Sequence, residues 1–190
     1  PALADVRWDL SDLYEDLQDP TIERDLETLL KVLETFNHSH AGRLDTTLGD
    51  ALDAQAEITC LADKLMVYLY LRRSTDATNQ QIQQRMANVQ EAYSEAVANH
   101  LTFVEHELSG LSEDAYASLP ESDERVRRHQ PLLDHIRANR EYLLTEAVER
   151  ALQLRSPFGP SEWSDYIDER EAELRFTLGA EVHTLPEILH

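Results

Sequence analysis

The chain contains few of the residues that usually interrupt or cross-link a fold: 5 glycines, 7 prolines and a single cysteine among 190 residues. An all-β protein needs a turn about every 8–12 residues, so this scarcity predicts helices. A single cysteine cannot form an intrachain disulfide, which fits a reducing compartment. No apolar run approaches the roughly 20 residues that span a bilayer, and the N-terminus lacks a basic-then-apolar signal pattern. We therefore expect a helical, cytoplasmic protein that does not enter membranes.

Basic residues are also scarce. The chain has 17 lysines and arginines against 37 acidic residues, so its formal net charge is −20. A surface of that sign repels phosphate, which argues against nucleic acid and anionic membranes as partners. A solvated acidic surface is the ordinary explanation, and a preference for basic peptides or cations stays open. Apolar residues make up 42% of the chain, which is enough for an ordered core.

The segment 47–108 predicts two long helices folded back on each other. Apolar residues recur at steps of three and four, as on one face of a helix. The first stripe consists of Leu48, Leu52, Ile58, Leu61, Leu65, Tyr68 and Leu69, and the second of Ile82, Met86, Val89, Tyr93, Val97, Val104 and Leu108. The segment 73–79 between them is polar. Capping boxes are predicted at Thr47 with Asp50 and at Thr78 with Gln81. The two helices would be about 40 and 45 Å long.

Capping residues and prolines also predict shorter helices around this pair. Their expected starts are Asp19-Pro20, Ser112, Pro131, Thr145 and Ser161. The first of these should end in the polar stretch 37–42. The segment 120–123 is the best internal linker, and 156–160 is a turn. Residues 1–18, with the apolar anchors Trp8, Leu13 and Tyr14, form either a short helix or an arm laid over the body.

The C-terminal segment predicts strands instead of helix. Residues 174–184 alternate between apolar and polar around Gly179, as in a small β-hairpin. Thr184 and Glu187 then form a capping box for a helix that stops after about one turn, at His190, and such a helix cannot stabilise itself. We therefore hypothesise that residues 1–190 are a single helical domain or fragment, cut shortly after a helix start. Its predicted class is mostly all-α: a long antiparallel helical hairpin packed with shorter helices, with a small β-hairpin near the C-terminus.

Histidine patterns do not predict a metal site. His106 and Glu107 begin like the zinc signature H-E-x-x-H, but Gly110 stands where the second histidine is needed. A separation of six residues puts each of the pairs His100/His106 and His129/His135 on opposed helix faces. The pair His38/His40 is a third possible ligand set, and no Glu-x-x-His motif supports a di-iron bundle. His100 lies in the apolar stripe and is interpreted as a hydrogen-bonded histidine at the edge of the core.

The cysteine, the carboxylates of the long helices and a cluster of arginines also have structural interpretations that require no chemistry. Cys60 lies among apolar neighbours, which predicts burial. The carboxylates of Asp63, Asp76, Glu91 and Glu95 are expected on solvated helix faces. A basic island is expected to pair with acids of the same chain, although it could also grip a peptide carboxylate or another domain. It consists of Arg125, Arg127, Arg128, Arg137 and Arg140, with His129 and His135 between them. The sequence therefore predicts no catalytic and no metal-binding residue, and it does not identify the substrate-binding residues.

Several motifs resemble one enzyme family in order and spacing. Trp8-Asp-Leu-Ser-Asp-Leu-Tyr14 resembles the opening of oligoendopeptidase F and its relatives, a family of zinc metallopeptidases. Similar matches are Tyr68-Leu-Tyr-Leu71 with Ser74-Thr-Asp76 and Asn79, Tyr142-Leu-Leu-Thr-Glu146 with Glu149-Arg-Ala-Leu152, Trp163 with Tyr166, and the tail Phe176–Leu178 with Thr184-Leu185. The chain departs from the family at Tyr70-Leu71, where a small residue is expected, and at 145–148, where a second acid is favoured.

The resemblance implies a non-catalytic N-terminal region that forms one side of a deep cleft for short peptides. In the family, the H-E-x-x-H helix and its zinc lie far downstream, so the resemblance implies no cofactor in this chain and zinc in the full-length enzyme. There, a zinc-bound water activated by glutamate hydrolyses the peptide bond. The implied partners are the downstream catalytic domain and short peptides. The alternative is an acidic helical adaptor without enzymatic role, and a third, weaker option is a self-contained hydrolase.

Overall fold

The computed structural model describes the backbone of residues 9–189 and, apart from positions 120–122, 160–161, 186 and 189, their side chains. It confirms a mostly α-helical fold with a small antiparallel sheet near the C-terminus. The helices are α1 (Pro20–His40), α2 (Leu44–Thr75), α3 (Gln80–His100), α4 (Phe103–Gly110), α5 (Glu113–Ser122), α6 (Glu124–Arg128), α7 (Gln130–Ala138), α8 (Glu146–Arg155), α9 (Pro160–Glu173) and α10 (Leu185–Leu189). The strands are β1 (Phe176–Leu178) and β2 (Glu181–His183), and 3-10 turns lie at Arg140–Tyr142 and Ser156–Phe158.

The predicted hairpin is formed by α2 and α3, and α1 packs against both. The predicted apolar stripes face this three-helix core: only Leu61, Tyr93 and Val97 are half-buried, and the other members are buried. The same holds for α1, where the fully buried Leu33 lies one turn after the buried Leu29. Periodicity therefore identified the core faces correctly, since only these faces offer apolar side chains at helical spacing.

The lengths of the two long helices differ from the prediction. The first is longer, because α2 has 32 residues and spans about 48 Å. The second is broken in two, because α3 ends at His100 and α4 begins at Phe103. At the break, the Thr102 hydroxyl donates to the Ala98 carbonyl at 2.9 Å. That bond competes with the backbone ladder, as threonine side chains do in helices.

Two of the predicted capping boxes are wrong. The N-cap of α3 is Asn79, one residue later than Thr78, and its side chain accepts from the backbone N–H groups of Gln81 and Ile82. The helix α2 begins at Leu44 rather than Thr47, and its N-cap residue, Arg43, makes no side-chain cap. The Thr47 hydroxyl instead donates to the Arg43 carbonyl at 3.0 Å, inside the first turn.

The other predicted helix starts are mostly confirmed. Asp19 caps α1 by accepting from Thr21, with Pro20 in the first turn, and Ser112 caps α5 by accepting from Ala115. Thr145 stands at the N-cap of α8 without a side-chain bond. The backbone of Pro160 already belongs to α9, one residue before the predicted start.

The predicted linker 120–123 is wrong. The backbone of α5 stays helical through Ser122, and Asp123 is the single residue between α5 and α6. Asp123 accepts from the Arg125 backbone N–H at 2.8 Å and so caps α6. The proline that predicted an interruption is accommodated within α5.

Both ends of the described chain follow the predicted patterns. Residues 9–19 form turns rather than a helix, and the buried Tyr14 fixes them to the body as an arm; the anchor Trp8 lies outside the described residues. At the other end, β1 and β2 pair through a tight turn in which Gly179 has φ +65°. Glu187 accepts from the Thr184 backbone N–H at 2.7 Å, which is one of the two hydrogen bonds of a capping box.

Candidate functional site

The residues that resemble a zinc signature have a structural role. Both carboxylate oxygens of Glu107 in α4 accept backbone N–H groups before and at the start of α2: Gly42 at 2.5 Å and Leu44 at 3.3 Å. The first N–H groups of a helix have no partner within the helix. Glu107 therefore supplies, from a distant part of the chain, the cap that Arg43 does not provide. Its carboxylate is already engaged and cannot serve as a free base.

Replacing Glu107 with alanine is expected to lower the free energy of unfolding by about 2 kcal/mol, because two N–H groups lose a charged acceptor. The neighbouring Glu105 is exposed, so Glu105→Ala is the matched control and should change stability by at most about 0.5 kcal/mol. Urea unfolding followed by circular dichroism measures both. Equal losses in the two variants would show that the distant cap contributes nothing.

The described histidines lie in different local environments. His40 is buried against Phe36 and shares a 3.0 Å hydrogen bond with Thr47, and its burial lowers its pKa below the ordinary value. The ring of His129 is engaged with the Arg125 carbonyl at 2.9 Å. His100 is half-buried. Among the side chains that the structure describes, no three from His, Cys, Asp or Glu are grouped so that they could hold a metal ion.

The prediction for Cys60 is wrong, because its thiol is free and the residue is exposed. Apolar sequence neighbours do not bury a residue that points away from the core face of its helix. The prediction for the four acids is correct, since Asp63, Asp76, Glu91 and Glu95 are exposed.

The basic island pairs mainly with acids of the same chain, as predicted. Arg125 lies 2.6 Å from Asp50, 3.0 Å from Asp53 and 2.7 Å from Asp123, joining α6 to α2. The hydrogen bonds from Arg125 hold the pKa of Asp123 below its usual range.

The remaining members of the island follow the same pattern. Arg140 and Arg137 both reach Glu113, at 2.7 and 2.9 Å, and these bonds lower the pKa of that carboxyl. Arg127 pairs with Glu124. Arg128 is exposed and has no ion pair within residues 9–189. Most of the island is therefore engaged in holding α5–α7 in place.

A groove that the sequence did not reveal lies between α3 and α9. It holds a cavity of about 200 Å³. One face of α3 forms one side: Gln83, Met86, Ala87, Gln90 and Glu91. The other side comes from the second 3-10 turn and from one face of α9: Phe158, Glu162, Asp165, Tyr166 and Glu169. We call this feature the α3–α9 groove.

Arg73, near the tip of the hairpin, also lines the groove. The residue is buried, with 8% exposure. Its guanidinium pairs with the Asp165 carboxylate and donates to the Asp165 carbonyl at 3.1 Å. The Asp168 carboxylate lies 3.6 Å away. A buried arginine needs such partners, since an unpaired charge is costly to bury.

The sequence could not place Arg73 in this contact, because its partner is 92 residues away. It stands in the last turn of α2, where basic residues are favoured for helix-dipole reasons alone. The spacing of Glu162, Tyr166 and Glu169 was the available sequence signal that one face of α9 carries both aromatic and acidic side chains. Nothing in the sequence states that this face meets α3.

Large apolar side chains are exposed along the C-terminal third of the chain. We call this set the C-terminal apolar surface: Tyr142, Leu144, Val148, Leu152, Leu154, Phe158, Trp163, Tyr166, Ile167, Leu174, Leu178 and Val182. Trp163 is 69% exposed and Val182 is 63% exposed, and no described residue of α8 is buried. Exposed apolar residues in such number mark surfaces that contact another molecule or another part of the same one.

Comparison with known proteins supports one family. A family model for the N-terminal part of M3 peptidases, described as Oligopeptidase F, matches residues 107–176. This confirms the resemblance to the N-terminal region of the oligoendopeptidase F family over the stretch from α4 to β1. The motifs at 8–14 and 68–79 lie outside the match. No curated protein and no solved structure matches the chain significantly. None of the described helices is long and apolar enough to cross a membrane.

Proposed function

Because residues 107–176 match the N-terminal part of an oligopeptidase family, we propose that this chain is the non-catalytic N-terminal part of an oligoendopeptidase F-like zinc metallopeptidase. In this proposal, the chain forms one side of a cleft that admits short peptides and excludes folded proteins. The family match is the observation that carries the proposal. The apolar core packed between α1, α2 and α3 supports it, since a cleft wall must keep its shape when peptides enter.

The proposed partner is a downstream catalytic domain of the same polypeptide. The C-terminal apolar surface supports this partner, because Trp163, Ile167 and Leu152 are each at least half exposed in this chain. A contacting domain would remove that apolar area from water, which is favourable by about 25 cal/mol per Å². We also propose a cytoplasmic location, which the single cysteine supports.

The zinc of the proposed full-length enzyme does not fit the described side chains of this chain. Glu107 is engaged with two backbone N–H groups, and the described side chains include no cluster of three suitable ligands. No step of peptide hydrolysis is therefore assigned to these residues. Their proposed contribution is to shape and restrict access to the site.

The purified 190-residue chain is expected to hold only substoichiometric zinc after dialysis and to leave short peptides uncut. Metal analysis by mass spectrometry and a fluorogenic peptide assay measure both. The polypeptide encoded beyond His190 should contain H-E-x-x-H, and the full enzyme should cut short peptides but not folded proteins. Stoichiometric zinc in this chain would contradict the proposal, and a polypeptide without H-E-x-x-H would favour the acidic adaptor.

A further inference from the structure

The α3–α9 groove combines negative charge with aromatic side chains. Arg73, Glu91, Glu162, Asp165 and Glu169 are its charged lining residues, which leaves a surplus of negative charge. Asp165 is engaged with Arg73. Glu91 and Glu162 are exposed and make no ion pair with any described residue. Two carboxylates at the mouth of the groove are thus available to a ligand.

Aromatic and apolar residues line the same groove. Phe158 is 63% exposed and Tyr166 is 51% exposed, while Met86 is buried in the side that belongs to α3. Aromatic faces attract guanidinium and ammonium groups. The chain already shows this interaction here, because the guanidinium of Arg170 lies 5.5 Å from the centre of the Tyr166 ring.

Two contacts connect the elements that line the groove. Arg73 connects α2 to α9 through Asp165, and the 3-10 turn Ser156–Phe158 packs against α3. The cavity of about 200 Å³ has room for one extended side chain, but not for a folded domain.

We propose that the α3–α9 groove binds a basic side chain, arginine or lysine, of a short peptide. The positive group lies between the carboxylates of Glu91 and Glu162, and the aliphatic part of the side chain packs on Phe158, Tyr166 and Met86. The inference rests on the proposed function and adds a substrate class to it: peptides that carry a basic residue. Charge complementarity and the aromatic walls select that residue.

The test measures peptide binding to the 190-residue chain by isothermal titration calorimetry. The probe is an acetylated and amidated pentapeptide with one central arginine flanked by alanines, and its matched control replaces that arginine with neutral citrulline. We expect the arginine peptide to bind about tenfold more tightly, as two partly exposed ion pairs and a cation–π contact allow. Raising the salt concentration should reduce this difference, because exposed charges are screened.

Variants show whether the preference for the arginine peptide arises in the groove. The double variant Glu91→Gln, Glu162→Gln should bind both peptides equally weakly. Its control, Glu27→Gln with Glu57→Gln, removes the same charge from exposed positions outside the groove and should keep the preference for arginine. Circular dichroism verifies that each variant is folded.

Three results would overturn the inference: no binding of the arginine peptide, equal binding of the two peptides, or an equal loss in the control variant. None of them affects the proposed function, which depends on the encoded H-E-x-x-H motif and on peptide cleavage by the full enzyme. Conversely, a polypeptide without that motif would refute the proposed function, even if the groove preferred arginine.

Discussion

Replacing Tyr14 with alanine is expected to lower the free energy of unfolding by about 3–5 kcal/mol, the usual cost of deleting a buried aromatic side chain. Tyr14 is 2% exposed, and its ring meets that of Tyr68 edge-on with centroids 5.0 Å apart. The Lys64 ammonium lies 4.3 Å from its centroid. Urea unfolding followed by circular dichroism measures the loss, which corresponds to about 10 °C in melting temperature.

The conservative variant Tyr14→Phe separates packing from hydrogen bonding. The Tyr14 hydroxyl donates to the Asp25 carboxylate at 2.9 Å, and burial together with that bond raises the pKa of Tyr14. Without the hydroxyl, Asp25 keeps Lys64 at 2.7 Å, so Tyr14→Phe should cost only about 1 kcal/mol. If Tyr14→Ala costs no more than Tyr14→Phe, the N-terminal arm is not part of the core.

Replacing Asp165 with alanine is expected to cost about 2–4 kcal/mol, because the guanidinium of Arg73 would stay buried without its main partner. The Arg73 side chain is only 9% exposed. Asp168, at 3.6 Å and with its side chain 60% exposed, replaces the lost carboxylate only in part. We expect the loss to be concentrated in α9, whose backbone amides should exchange hydrogen faster.

Removing the arginine of this ion pair should lower the free energy of unfolding less than removing the aspartate. Arg73→Met leaves the Asp165 carboxylate, whose side chain is 37% exposed and can be hydrated, so the expected cost is about 1 kcal/mol. Hydrogen exchange and urea unfolding compare the two variants directly. A larger loss from Arg73→Met than from Asp165→Ala would show that the burial of Arg73 does not control this contact.

The Asp165 contact is relevant to function because it determines where α9 lies. In the proposed enzyme, α9 carries one side of the α3–α9 groove and part of the C-terminal apolar surface. A variant that releases α9 should therefore weaken peptide binding in the groove even though Glu91 and Glu162 are unchanged. Stability and binding thus depend on one ion pair between distant parts of the chain.

The α-helical class, the hairpin and the core faces follow from the sequence because they depend on local periodicity. An apolar stripe, such as the one that contains Leu65 and Leu69, is enough to predict which side of a helix is buried. Asp19, Ser112 and Gly179 likewise act within a few residues of their own positions. The family motifs in 142–166 are similarly local, and the family match covers them.

The tertiary structure decided whatever joins distant residues. Glu107 caps α2 from more than sixty residues away, and Arg73 meets Asp165 across 92 residues. The spacing of residues in the sequence predicts neither contact, because tertiary packing, and not the neighbouring sequence, brings each carboxylate to its partner. The α3–α9 groove and the exposure of the C-terminal apolar surface follow from such contacts. The sequence determined the helices and their apolar faces, and only packing decided which polar groups meet and which surface stays uncovered.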